Sequence, residues 1–382
     1  MGDAVACLRG WHPALGLAEL EALLPEAKVG ATESNRWWTV SGCGPDLRSE
    51  ALSIASSLQC FLTDGIVAGT QGISTEGWIE RMITYLEAHP VEGTVAVRSW
   101  RQGGKIPEWS LTHLTQRLGG VLTRLGYSVD LEAPDHTLAL IADGPHQALA
   151  CGWMEGDGQS AFSNGERRAG ERPFFKPVSL DPMLARLAVN LACGPKHNGP
   201  VVDPMTGTGG FLIEASLSGR DTLAMDIHSE MVQGASNNLA WAHGDVLPTH
   251  ATVVRGDATR IEAFLPEAWK GRIAGFVLDP PYGRNSHGSV DPHRLLEGCL
   301  LSARRVAAPS AGFVLILPVH PLEPHSEERL PMDGPYRLLH GEWSEVMGLI
   351  ERCGWRLESV HAERVHRSLS RLILHARCAP QD

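Results

Sequence analysis

Short apolar runs alternate with helical patterns along residues 179–382, and no other feature of this sequence constrains its fold as strongly. Helix-spaced apolar positions separate the first five runs, which predicts an open, mainly parallel sheet with helices on its faces. These runs lie at 201–203, 222–226, 251–255, 273–279 and 312–318. Two last runs, 356–363 and 369–377, follow each other without a helix between them, so they are predicted to form an antiparallel hairpin. The pattern therefore predicts an α/β domain with a seven-stranded, mostly parallel sheet.

The first 155 residues show a different pattern, in which helices and short strands mix without a visible reactive cluster. Helices are predicted at 15–24, 47–58, 75–88 and 111–125, and strands at 94–99 and 137–142. This indicates an α+β region, which we divide into a domain at 1–60 and a second domain at 61–155. Residues 156–178 are rich in Gly, Ser, Pro and charge and have no periodicity, so they are predicted to be a linker that precedes a domain at 179–382.

Composition limits the setting in which such a chain works. No apolar run approaches the length needed to cross a bilayer, and the eight cysteines are scattered without the Cys-x-x-Cys pairs of metal sites. These features predict a cytoplasmic protein with no membrane association and no metal. The net charge of −11 argues mildly against a nucleic-acid partner, because phosphates attract Lys and Arg. Between residues 352 and 377, however, six arginines stand against two acids.

A glycine-rich turn follows the first predicted strand of the α/β domain. Asp203 ends the strand, and Thr206, Gly207 and Gly209 follow just before a predicted helix. Such a turn lets backbone amides approach a ligand at the helix N-terminus, while the carboxylate can face a cationic amino group. Leu212 occupies the place of the third glycine of a dinucleotide-binding fingerprint, which argues against a nicotinamide enzyme. A tight turn without a ligand is the alternative interpretation.

Acids also end the next two strands. Asp226 is placed to accept the hydroxyls of a ribose, with Ile227 next to it, and Asp257 and Ala258 are placed to hydrogen-bond an adenine. Each aspartate alone could simply cap the helix that follows it. Three strand-end acids in succession favour a nucleoside ligand such as an adenosyl group.

The fourth strand runs into Asp279, Pro280, Pro281 and Tyr282, where two prolines fix the chain and prevent the strand from continuing. An exocyclic amine of a nucleobase is a weak nucleophile because its lone pair is delocalised into the ring. The Asp279 carboxylate and the Pro280 carbonyl could accept both amine hydrogens and direct the lone pair toward a methyl-sulfonium, while Tyr282 stacks on a base taken out of its helix. This motif predicts methylation of an amine, with a rigid turn as the alternative.

Three stretches together resemble the THUMP-domain RNA methyltransferases, and in particular the archaeal-type tRNA guanine-N2 enzymes that act at position 10. They are RPFFKPVSLDP at 172–182, DPMTGTGGFLIEA at 203–215 and DPPYGR at 279–284. The resemblance implies a Rossmann-like methyltransferase domain preceded by an α+β, THUMP-containing RNA-binding region, with S-adenosyl-L-methionine as the cofactor and tRNA as the partner. It also implies that Phe175, Pro177 and Ser179 help to close the cofactor site. The product would be N2-methylguanosine or N2,N2-dimethylguanosine.

In the front half, the stretch 97–100 and the helix after it are similar to the core of a THUMP domain, which implies recognition of the tRNA acceptor end. Because that region looks complete, we expect a monomer that needs no accessory subunit. Basic residues in two places are candidate phosphate contacts, with ordinary surface arginine as the alternative. They are Arg98, Arg101 and Lys105 in the front half, and Arg364, Arg367 and Arg371 in the terminal hairpin.

Other functions stay open at this point. The same chemistry could act on another tRNA position, on ribosomal RNA or on DNA, because the motif at 279–282 suits all these amines. A non-catalytic RNA-binding protein is a further alternative, against which the intact acids argue. A thiouridine-forming THUMP protein would need a pyrophosphatase loop and a reactive cysteine, and neither is visible.

Overall fold

Two separate β-sheets organise the chain. The computed structural model describes residues 3–156, 158, 167–177, 179–280, 291–322 and 327–380. The first unit comprises Met1–Leu17, Glu26–Leu52 and Ser57–Ser160, and the second comprises Ala18–Pro25, Ser53–Ser56 and Ala161–Asp382.

The first sheet has eight strands in the order β2-β3-β1-β4-β8-β7-β5-β6. Strands and helices follow the chain as β1 (Ala4–Leu8), α1 (Pro13–Leu23), β2 (Lys28–Ala31), β3 (Trp37–Ser41), α2 (Pro45–Ile54), β4 (Leu58–Gly69), α3 (Thr75–Ala88), β5 (Thr94–Gln102), α4 (Leu111–Arg124), β6 (Ser128–Val129), β7 (His136–Asp143) and β8 (Ala148–Glu155). The α+β prediction is confirmed. Strand β4 pairs with β1 on one side and β8 on the other, so a single sheet passes through residue 60. The division into domains at that residue stays a prediction.

The second sheet has the order β11-β10-β9-β12-β13-β15-β14. Its elements are α5 (Pro182–Cys193), β9 (Val201–Asp203), α6 (Gly210–Leu217), β10 (Thr222–Asp226), α7 (Ser229–Ala242), β11 (Ala251–Arg255), β12 (Ile273–Leu278), α8 (Pro292–Val306), β13 (Ala307–Val319), α9 (Trp343–Arg352), β14 (Trp355–His366) and β15 (Leu369–Cys378). The first five strands are parallel, and β15 joins β13 and β14 antiparallel. This confirms the predicted seven-stranded sheet with its terminal hairpin.

Strand order reverses between β9 and β12, because the chain moves outward to β10 and β11 before it returns. In open α/β sheets, ligands bind in the crevice beyond the carboxyl ends of the strands at such a reversal. The topology therefore places a crevice next to Asp203 and Asp279, which lie at the carboxyl ends of β9 and β12.

The two faces of this sheet are packed differently. On one face, α8 and α9 cover a large core in which the rings of Phe276, Phe313 and Trp355 contact one another with centroid distances of 5.3 to 6.1 Å. On the other face, α5 lies against β12 and β13. A Cβ atom built on Gly312 would lie 2.3 Å from the carbonyl oxygen of Ala192 in α5. Strand β13 can therefore approach α5 this closely only with a glycine at position 312.

Several strands of the first unit were not predicted. Strand β1 has the sequence AVACL and β8 has ALACGWME, and both are almost entirely buried. Short buried runs rich in Ala and Cys lack both the alternation and the β-branched residues that mark a strand. Within the described residues, no helix is both long and apolar enough to cross a membrane.

Replacing Gly312 by Ala should destabilise the second unit, because the added methyl group overlaps the α5 backbone. Overpacking of this kind costs about 1–3 kcal/mol. Thermal and urea unfolding of the full chain would measure the loss. Gly170→Ala is the matched control, since a Cβ atom there meets nothing within 4 Å. Equal unfolding midpoints for the two variants would contradict this account of the α5 contact.

Candidate active site

Four aspartates lie at the carboxyl ends of four neighbouring parallel strands. Asp203 ends β9, Asp226 ends β10, Asp257 follows β11, and Asp279 follows β12. Since these strands are parallel and adjacent, the four side chains share one edge of the sheet. The sequence predicted all four, and the structure brings them to the same crevice.

The turn after β9 is fixed by two glycines with left-handed backbone geometry. Gly207 has φ of 52° and Gly209 has φ of 82°, a region that residues with a Cβ atom adopt at a cost. The amide of Gly207 donates to Asp226 Oδ2 at 3.1 Å, which connects the turn to the end of β10. A Cβ atom on Gly209 would lie only 3.2 Å from that of Ala235, so α7 packs closely on the turn. The turn therefore packs against α7 on one side, and its other side faces the crevice.

Asp203 is buried without a hydrogen-bond partner on either carboxylate oxygen among the described residues. Burial raises the pKa of Asp203 to about 8, and the negative charges of Asp226 and Asp279 add to the shift. The Thr206 hydroxyl and the Met205 backbone amide oppose the rise, although neither reaches hydrogen-bond geometry with the carboxylate. A buried carboxyl that lacks partners is costly, and the cost falls when a ligand supplies donors.

Asp226 and Asp257 each accept from a backbone amide two residues further along the chain and also lie at the crevice. Asp226 Oδ1 accepts from the amide of His228 at 2.9 Å, and Asp257 Oδ1 accepts from the amide of Thr259 at 2.9 Å. Capping was the alternative interpretation of these residues: Asp257 does cap the short 3-10 helix that follows it, whereas α7 begins after His228 without a side-chain capping bond. A carboxylate has about four acceptor positions, so this leaves room for ligand hydroxyl or amino groups. Beside Asp226, Ile227 is 58% exposed and offers an apolar contact.

Asp279 and Pro280 follow β12 at the same edge, whereas Pro281 and Tyr282 lie outside the described residues. Part of Asp279 remains accessible, yet its dense surroundings raise the pKa of this carboxyl to about 6. The positive charge of Arg371 opposes that rise. At neutral pH Asp279 is therefore mainly an anion, whereas Asp203 is mainly protonated.

The segment before α5 is fastened to α7 by a residue that the sequence analysis missed. Asn238 is fully buried, and it accepts from the Phe174 amide at 2.8 Å while its own amide donates to the carbonyls of Phe174, at 2.7 Å, and Thr208, at 2.8 Å. The Phe174 ring lies directly over Gly234, where a Cβ atom would be 2.1 Å from the ring. The only available signal was a polar residue at a buried position of a predicted helix.

The residues predicted to close the cofactor site occupy different environments. Ser179 Oγ lies 3.0 Å from Thr208 Oγ1, so it contacts the glycine-rich turn. Phe175 is 49% exposed and Pro177 is exposed, whereas Phe174 is the phenylalanine that packs on α7. Ala258 is buried beside Asp257.

A buried ion-pair cluster supports α6, the helix that follows the turn. Glu214 is inaccessible to solvent and forms ion pairs of 3.0 Å with both Arg167 and Arg186. Losing one partner of such a buried pair usually costs about 3–5 kcal/mol, so this cluster constrains the position of the helix. Sequence reasoning included Glu214 in a motif but gave it no role. Among the residues that the structure describes, no group of three His, Cys, Asp or Glu is arranged to hold a metal ion.

The predicted RNA contacts differ in orientation and in exposure. Arg98, Arg101 and Lys105 are exposed, but Arg98 and Arg101 project from opposite faces of β5 because they are three residues apart on a strand. In the hairpin, Arg364 and Arg367 are exposed, whereas Arg371 is mostly buried and lies 3.9 Å from Glu363. Arg371 therefore differs from the other candidates.

Comparison with known proteins decides the family. The RMKL-like methyltransferase domain family matches residues 169–323, which include all four strand-end aspartates. The chain is 30% identical to the tRNA (guanine(10)-N2)-dimethyltransferase of Pyrococcus abyssi over 74% of this chain and 73% of that protein. The chain belongs to the family of the tRNA (guanine(10)-N2)-dimethyltransferases. The enzyme of the same name from Methanothermobacter thermautotrophicus is 33% identical over 49% of this chain and 53% of its own. The crystal structure of TrmN from Thermus thermophilus is 19% identical over 98% of this chain and 99% of that one, with a TM-score of 0.45.

Membership of this methyltransferase family confirms the resemblance that the three sequence stretches indicated. All three begin within the matched segment, and the turn, the strand-end acids and the described part of 279–284 lie at one edge of one sheet. The roles of the individual residues stay predictions.

Asn238→Ala should loosen the segment 172–177, because three hydrogen bonds to backbone groups of Phe174 and Thr208 are lost. Leaving buried partners unsatisfied costs about 1–3 kcal/mol per group. We expect faster hydrogen exchange and proteolysis in this segment. Asn237→Ala is the control, since Asn237 is exposed and accepts from the Gln233 side chain on the same helix. Identical exchange in the two variants would show that Asn238 does not fasten the segment.

Proposed function

We propose that this protein transfers a methyl group from S-adenosyl-L-methionine to the exocyclic N2 amine of guanine 10 in tRNA, giving N2-methylguanosine and then N2,N2-dimethylguanosine. Family membership supports the substrate, because two relatives carry that activity in their names. The observation that carries the chemistry is the position of Asp279, a mainly anionic carboxyl at the end of β12 beside the reversal of strand order.

The residues at the crevice suit an adenosyl cofactor. Both carboxylate oxygens of Asp203 are buried and lack partners within the described part of the chain, and an amino group of the ligand would satisfy them. Asp226 and Ile227 would hold the ribose, and Asp257 with the backbone of Ala258 would hold the adenine. The turn residues Thr206, Gly207 and Gly209 would line the methionine moiety, with Phe175, Pro177 and Ser179 closing the site. When bound, the sulfonium supplies an electrophilic methyl group.

Asp279 and the Pro280 carbonyl would accept the two hydrogens of the guanine amine. These bonds orient the amine and draw its lone pair out of the ring, toward the methyl group. Methyl transfer turns the neutral amine into a cation, which is a much stronger acid than the amine was, so proton loss follows transfer. Asp279 can take this proton because it is an anion at neutral pH. Pro281 and Tyr282 complete the proposal from the sequence, with Tyr282 stacking on the flipped base.

The front half would hold the tRNA. We propose that Arg98, Arg101 and Lys105 contact phosphates there, and that Arg364 and Arg367 do so from the hairpin, all as exposed cations. We further propose a monomer that works in the cytoplasm without an accessory subunit.

The decisive experiment offers the protein two tRNA transcripts that differ at one position. One carries guanosine at position 10, and the other carries inosine, which lacks the N2 amine. With methyl-labelled S-adenosyl-L-methionine, only the first should be labelled, and mass spectrometry of the digest should identify N2-methylated guanosine at that position. Asp279→Asn should lower kcat by about 100-fold or more while cofactor affinity is kept.

Equal labelling of both transcripts would assign the chemistry to another nucleotide, and full activity of Asp279→Asn would remove Asp279 from the mechanism. No label on any RNA would contradict the proposal of a self-sufficient enzyme.

Cofactor binding should release a proton. In the free protein the pKa of Asp203 is about 8, so the carboxyl is mainly protonated at pH 7. Pairing with the ligand's ammonium group requires the anion, so affinity should rise with pH up to about 8 and roughly one proton should leave at pH 7. Calorimetry with S-adenosylhomocysteine in buffers of different ionisation enthalpy measures this number. Asp203→Asn should bind more weakly and release none, and a wild-type protein that releases none would refute the pairing.

A further inference from the structure

The carboxyl edge of the second sheet carries charged residues besides the four aspartates. Arg371 lies on β15 and Glu363 lies opposite it on β14. One strand, β13, lies between β15, which carries Arg371, and β12, which precedes Asp279. These two residues were not assigned to the crevice by the strand pattern, because they belong to the terminal hairpin.

Strand register shows that Asp279, Arg371 and Glu363 lie on the same face. Leu278 pairs with Leu315 and Leu315 with Leu374, and both Leu278 and Leu374 point into the core under α8 and α9. Side chains alternate along a strand, so Asp279 and Arg371, each an odd number of positions from those leucines, point to the opposite face, where α5 packs. Glu363 is paired directly with Arg371 and shares that face.

The ion pair itself is incomplete. Arg371 Nη1 and Glu363 Oε2 are 3.9 Å apart, which is beyond hydrogen-bond distance. Glu363 Oε2 is buried and has no hydrogen-bond partner among the described residues. The Arg371 side chain is only 16% exposed, so its charge is poorly screened by water and acts on its neighbours on both sides.

We infer that Arg371 is a positioning residue of the methyl-acceptor site, a mostly buried cation between Asp279 and Glu363 that keeps Asp279 an anionic acceptor for the amine. This inference rests on the proposed function of Asp279. It separates Arg371 from Arg364 and Arg367, which are exposed arginines of the same hairpin.

The charges around Asp279 explain why such a cation is needed. Burial raises the pKa of Asp279, and Arg371 is the charge that lowers it. Asp203 is close enough to interact with Asp279, and Asp181 with Glu363, so each of these two acids has a further acid near it. On the same face of the hairpin are two histidines, His361 and His375. Burial lowers the pKa of His375 to about 3, so it adds no positive charge at neutral pH.

Arg371→Gln should therefore move upward the acid limb of the pH profile of kcat/KM for tRNA, measured at saturating S-adenosyl-L-methionine so that the ionisation of Asp203 does not contribute. The limb of the wild type is expected near pH 6, where Asp279 ionises. An opposite charge at close range shifts a carboxyl pKa by about 1–3 units, and the partial exposure of Asp279 favours a shift of about one unit. Arg371→Lys keeps the charge and should keep the limb in place. Arg364→Gln and Arg367→Gln are matched controls that should weaken tRNA binding without moving the limb.

A second readout does not depend on activity. The carboxyl of Asp279 can be titrated by 13C NMR in protein labelled at aspartate, with Asp279→Asn providing the assignment. Arg371→Gln should raise that pKa by about one unit in the absence of RNA. An unchanged Asp279 titration would overturn the inference whether or not the protein methylates tRNA, whereas a shifted titration in an inactive protein would count only against the proposed function. If the glutamine variant does not fold, Arg371→Met, which keeps the aliphatic stem, answers the same question.

Discussion

The whole site depends on the reversal of strand order between β9 and β12. Parallel strands end at the same edge, and the reversal opens a crevice there into which the residues after four strands project. The order of the strands is therefore enough to bring Asp203, Asp226, Asp257 and Asp279 together at one edge of the sheet. Their crowding has an electrostatic consequence. The pKa of Asp203 rises to about 8 and that of Asp279 to about 6, with burial as the main cause in both.

The different ionisation of these two carboxyls gives them different tasks. A group that is protonated in the free protein and becomes an anion beside a cation favours ligands that bring positive charge. A group that is already an anion can receive an amine without first losing a proton. Both belong to one sheet edge. Asp203 is 1% exposed and the charges of Asp226 and Asp279 raise its pKa further, whereas Asp279 keeps some accessibility and Arg371 lowers its pKa.

The sequence analysis predicted those features of the site that a few consecutive residues specify. Apolar runs followed by Asp gave the strand ends, and the last two runs gave the hairpin, because each signal occupies a few consecutive residues. It did not find Asn238, since a single asparagine in a helix has no distinguishing neighbours. It could not separate Phe174 from Phe175, which are adjacent and chemically identical, although only Phe174 packs on Gly234. The strands of the first unit were missed where Ala and Cys fill buried positions.

The place of Arg371 could not be predicted from the local sequence pattern, but it follows from the register of the strands. In the sequence it is one of six arginines between residues 352 and 377, and charge density alone groups it with the exposed members. Register places it differently: pairing with Pro318 on β13 and with Glu363 on β14 sets its height at the carboxyl edge, and alternation sets its face. An antiparallel hairpin added to a parallel sheet thus brings a cation to an edge where the parallel strands contribute acids. The hairpin that completes the sheet also supplies the counter-charge that lets a buried acid remain ionised.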